Sequence, residues 1–95
     1  MNRVSFKAKI NKKMYTIDLT KEEKKPKIFN NSLLFDCMTY DSKMTPKRFL
    51  IIYNVADKTF WSWTANTINQ KDIDFRNEIA DLLNNDSELR KKVFK

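Results

Sequence analysis

The chain contains no glycine. Every turn must therefore be made from residues that carry a β-carbon, for which a left-handed backbone costs about 1–2 kcal/mol per residue. Asparagine tolerates that conformation best among them, and the sequence holds ten asparagines. The same absence closes two chemistries. Phosphate-cradling loops and dinucleotide fingerprints both need backbone without a side chain against the phosphate.

Patterning along the chain changes period once. "VSFKAKI" alternates strictly, with Val4, Phe6, Ala8 and Ile10 on one face and Ser5, Lys7 and Lys9 on the other; this reads as a half-buried strand. After "NKK", "YTIDL" alternates again with Tyr15, Ile17 and Leu19 inward. The two form a hairpin in which Asn11 takes the left-handed position. "TKEEKKPK" over 20–27 is a charged connector, able to begin with one helical turn capped by Thr20; Pro26 breaks any longer helix. "IFNNSLLFDCMTY" over 28–40 fits both periods, and the alternation of Leu33, Phe35 and Cys37 into Thr39-Tyr40 favours a strand. "DSKMTPKR" is a turn opened by Asp41.

"FLIIYNV" and "TFWSWTA" are the strongest strand signals, joined by "NVADKT" as a tight hairpin. Beyond them the period becomes helical, and Ile68, Phe75, Ile79 and Leu82 make one apolar stripe, with Asn69 or Asp72 as the cap. Asn85, with Glu88 three residues on, is a cap for a short last helix that docks Leu89, Val93 and Phe94. Strands come first and helices last. The expected fold is α+β in one domain over 1–95: a small, mostly antiparallel sheet with one long and one short helix on one face.

Both tryptophans lie in "TFWSW" and point the same way if the segment is a strand. Their surroundings depend on the loop before them. A three-residue loop puts Phe49, Ile51 and Tyr53 on their face; a two-residue loop substitutes Leu50 and Ile52. Large aromatics dominate small cores, so Trp61 and Trp63 are expected under the helix. The rival reading leaves one or both on an open face, where they stack bases or anchor a protein.

The formal charge is +7, and it is segregated. Residues 1–48 hold 12 basic and 5 acidic groups, whereas residues 49–95 hold seven of each. An AT-rich genome would explain many lysines, but not their placement. The candidate binding residues are Lys7, Lys9, Lys12 and Lys13 on the first hairpin; Lys21, Lys24, Lys25 and Lys27 in the connector; and Lys43, Lys47 and Arg48 around the later turn. Such a concentration points to nucleic acid, an acidic protein or a membrane surface. "ELRKKVFK" is too short for a membrane anchor. Only four of the 19 cations are arginine, which argues for a general field and against bidentate base readout.

Exclusions narrow the chemistry further. No histidine means no imidazole acid, base or metal ligand, and the single Cys37 makes neither an internal disulfide nor a structural zinc site. No apolar stretch approaches a bilayer span or a signal peptide, so a reducing, cytoplasmic setting is expected. One enzymatic pattern survives: Asp18 with Asp41-Ser-Lys43 has the residue types of a metal-dependent nuclease. Asp-x-Lys is common by chance in so lysine-rich a chain, and Asp41 reads more simply as a turn residue.

In general build (short, glycine-free, rich in Lys and Asn, without a catalytic inventory) the chain is similar to small proteins of phages and mobile elements. Many of those inhibit a host enzyme by stoichiometric binding, anti-CRISPR proteins among them. The likeness is one of build and not of motif. The expected function is a non-enzymatic inhibitor that occludes a nucleic-acid-handling enzyme or ribonucleoprotein through an anionic surface. The alternative is direct, sequence-independent RNA or DNA binding. No cofactor, membrane or small-molecule substrate is implied.

Overall fold

A computed structural model of the chain describes residues 3–22 and 31–94. Strands β1 (Arg3–Ile10), β2 (Lys13–Lys21), β3 (Ser32–Tyr40), β4 (Pro46–Asn54) and β5 (Thr59–Ser62) precede helices α1 (Gln70–Asn85) and α2 (Ser87–Val93). The strands form one antiparallel sheet in the order β1-β2-β3-β4-β5. This is the expected α+β arrangement, and the ambiguous 28–40 segment supplies the central strand. Thr20 and Lys21 extend β2 and do not open a helical turn. Pairing explains the difference, because Thr20 opposes Arg3 on one side and Asp36 on the other.

Directly opposed residues share a face, so the register sorts the whole sheet. Phe6, Ile17, Thr39 and Lys47 align on one face; Lys7, Thr16, Tyr40 and Pro46 align on the other. Both helices lie against the first. Phe75 of α1 packs on Tyr15 and Phe49, with ring centroids 4.9 and 6.4 Å away. Phe94, just past α2, packs on Tyr53 at 4.7 Å and on Phe35 and Phe60. Between them Ile17, Leu19, Cys37, Ile51, Ile79 and Leu83 are fully sealed. Burial pushes the Cys37 thiol well above its ordinary pKa, so it behaves as a small apolar side chain.

The helix stripe differs from expectation at both ends. Ile68 stands fully exposed ahead of the helix, and Leu83, not Leu82, is sealed in the core with Phe75, Ile79 and Ala80. Asn69 caps α1 by accepting from the Asp72 N–H at 3.2 Å. For α2 the cap is Asp86 and not Asn85. Its carboxylate accepts from the N–H groups of Glu88 and Leu89, while its own N–H donates to Leu82 O. One residue therefore ends the first helix and starts the second.

Two devices fasten α1 to the sheet. The Asn84 amide grips Phe60 from both sides: Phe60 N–H donates to Asn84 Oδ1 at 2.7 Å, and Asn84 Nδ2 donates to Phe60 O at 2.9 Å. That pair occupies the outward backbone groups of Phe60 in edge strand β5, which would otherwise invite another strand. Nearer the helix start, buried Arg76 donates to Trp63 O and Asn66 Oδ1, both at 2.8 Å, and pairs with Asp72 at 2.9 Å. Its guanidinium lies 5.2 Å from the Phe49 ring.

Candidate functional site

The β4–β5 loop decides which face carries the tryptophans. Asn54 opposes Thr59, leaving Val55, Ala56, Asp57 and Lys58 in the loop. Asn54 Oδ1 accepts from the Asp57 N–H, Asn54 O accepts from the Lys58 N–H, and Lys58 adopts φ 57°. Four loop residues have the parity of two. Trp61 therefore opposes Ile52, and the ladder continues with Trp63 N–H donating to Leu50 O. The tryptophans stand on the face away from the helices, and the expectation that they lie beneath the helix is wrong. Phe60 and Ser62 take that place, with Ser62 donating to Asn77 Oδ1 at 2.6 Å. Trp61 is 40% exposed, and its ring centroid lies 6.2 Å from that of half-buried Trp63.

The same face holds the outward residues of β1 and β2. Lys7 and Lys9 are exposed on β1, opposite Thr16 and Met14. Nearer the centre, Ser5 and Arg3 both donate to Asp18, Arg3 at 2.8 Å. The Ser5 hydrogen bond first, and then the Arg3 interaction, hold the Asp18 carboxyl below its ordinary pKa against the opposing effect of burial. Arg48 pairs with Asp36 at 2.8 Å on the same face. The face thus carries four cations, Arg3, Lys7, Lys9 and Arg48, against the carboxylates of Asp18 and Asp36, and Glu22, just past β2, adds a third that acts on Arg48.

At one end of the sheet the β1–β2 and β3–β4 turns lie side by side. Lys13, Met14, Asp41, Ser42 and Lys43 line an open notch of about 330 Å³ between them. Asn11 takes the left-handed conformation foreseen for it, at φ 51°, but Lys12 follows at φ 68°. Both values suit the mirror-image turn that a two-residue hairpin needs. Asp41 organises the second turn by accepting from the N–H groups of Lys43 and Thr45, each at 2.9 Å. The Thr45 N–H leads in lowering its pKa. Asp18 and Asp41 are not brought together, since Asp18 faces Ser5 and Arg3 while Asp41 serves the turn. Among the described residues no group of three or more His, Cys, Asp or Glu side chains is placed to hold a metal.

The eleven candidate residues therefore divide. Lys13 and Lys43 line the notch at the sheet end, Lys12 adjoins Lys13 in the turn, and Lys9 continues through its neighbour Met14 onto the face away from the helices with Lys7. Among the described residues these five make no ion pair. Lys47 turns to the helix side, where its Nζ lies 5.1 Å from the Phe75 ring. Lys21 sits at the far end of β2, and Arg48 is partly neutralised by Asp36. Lys24, Lys25 and Lys27 lie outside the described residues. Sequence reasoning missed Arg3, and it placed the tryptophans apart from the lysines; the parity of one loop was the missing signal. No family model, curated protein or solved structure matches the chain.

Proposed function

We propose that the protein is a non-enzymatic binder that works by occlusion, laying its lysine-rich sheet end on the anionic surface of a nucleic-acid-handling enzyme or ribonucleoprotein. The observation that carries this reading is that Lys13 and Lys43 line one notch beside Asp41, with Lys12 next to Lys13 in the adjoining turn, and that none of the three lysines has an ion-pair partner among the described residues. Exposed lysines at a converged pair of turns concentrate positive potential without a geometry for reading bases. Inhibitors of this build belong to phages and mobile elements, and an anti-CRISPR-like role in the cytoplasm fits the reading.

Affinity capture from the native host, with nuclease treatment, tests it. A nuclease-resistant protein partner is expected, and its recovery should fall at least about tenfold with Lys12→Glu/Lys13→Glu/Lys43→Glu, as close charge pairs are worth upward of about 1.5 kcal/mol. Undiminished capture by that variant would refute the reading. The second reading, direct RNA or DNA binding, gains from one observation: Trp61 shares its face with Lys7, Lys9 and Arg48.

A further inference from the structure

We propose that the sheet face away from the helices is a platform for single-stranded nucleic acid, with Trp61 stacking a base and Lys7 and Lys9 meeting the phosphates. This deepens the direct-binding reading and rests on it. Three observations carry it. Trp61 is 40% exposed on a face that neither helix covers, with Trp63 6.2 Å from it. The four cations of that face exceed its three carboxylates by one; Asp18 holds Arg3, Asp36 holds Arg48, and Glu22 also acts on Arg48, so the unpaired charge is that of Lys7 and Lys9. Lys7 and Lys9 project from the same face at the opposite corner and have no ion-pair partner among the described residues.

The occupant follows from the combination. From Trp61 to Lys7 the sheet is crossed by four strand spacings and about six residues, a diagonal of roughly 28 Å. A ligand on that path must offer a flat apolar ring at one end and repeated negative charge towards the other. An acidic peptide meets this only where an aromatic residue happens to precede its carboxylates, and a duplex hides its bases in the stack. A single strand has an exposed π-face on every base and a charge on every phosphate. Half-buried Met38 lies on the way, between the arginine-paired carboxylates of Asp36 and Asp18. Stacking does not depend on base identity, so binding should show little sequence preference.

Fluorescence anisotropy with a labelled oligothymidylate of about 15 nucleotides tests this, since single-strand folds take about 4–16. Expected are quenching of tryptophan emission and an affinity about five- to hundredfold lower for Trp61→Ala, with much of it regained in Trp61→Phe. Lys7→Gln/Lys9→Gln should lower the slope of log affinity against log salt by about 1.4. An abasic strand of equal length and charge should bind far more weakly. Equal affinity for the abasic strand, or for Trp61→Ala with an unchanged circular dichroism spectrum, would overturn the platform. So would a nuclease-resistant protein partner that is lost on reversing the tip lysines, together with no oligothymidylate binding at low salt. That last outcome leaves the occlusion reading standing.

Discussion

Arg76 shows how much one residue can be asked to join. Its guanidinium serves Trp63 O, Asn66 Oδ1 and the Asp72 carboxylate, and lies over the Phe49 ring. Truncation would leave those acceptors without their donor in a low-dielectric site, so Arg76→Ala should lose about 3 kcal/mol in urea denaturation. Arg76→Lys should lose nearly as much, because a single ammonium cannot match the planar fork. Asp18 makes a prediction about pH. Its carboxyl pKa is lower in the folded protein than the unfolded value of 3.8. The stability it confers is therefore complete above that value and is lost as pH falls through the folded pKa. Asp18→Asn should be less stable by about 1 kcal/mol at neutral pH. Below pH ~3.8 its deficit should shrink, which melting curves across that range would reveal.

At the scale of elements, the missing glycines leave their mark on the hairpins. Asn11, Lys12, Met44 and Lys58 all hold positive φ, and each is in a turn. Lys12 is the instructive one, because the mirror-image turn it completes is normally finished by glycine. Lys12→Gly should stabilise the protein by about 1 kcal/mol in chemical denaturation. It should also weaken capture of the anionic partner, since the same position supplies a cation beside the notch. Gain in stability with loss of binding would mark strain retained for function. The β4–β5 hairpin teaches a related lesson. Its side-chain alternation was plain in "FLIIYNV" and "TFWSWTA", but alternation gives two faces without saying which one is inward. The choice fell to the loop, where the Asn54 side chain and a left-handed Lys58 fit four residues between the strands.

At the scale of the whole molecule, the sheet is a wall with two different sides. Phe60 and Trp61 are neighbours in sequence and stand on opposite sides of it, 3% and 40% exposed. Phe60→Ala should cost about 3–5 kcal/mol, whereas Trp61→Ala should cost clearly less, by urea titration of both variants. Similar losses would mean that the two faces are equally sealed. The sequence by itself determined both hairpins, the two helices, their order and the polarity of the charge, because these follow from local alternation, capping residues and composition; the 28–40 segment fitted both periods until pairing made it β3. It also showed Asn11 as a left-handed residue and Phe75 and Ile79 as core. Only the tertiary structure decided that Lys43 would share a notch with Lys13, that Lys47 would turn away, and that Trp61 would share a face with Lys7 and Lys9. Those relations span distant parts of the chain and hinge on register, and in a sheet a shift of one residue moves every side chain to the other face.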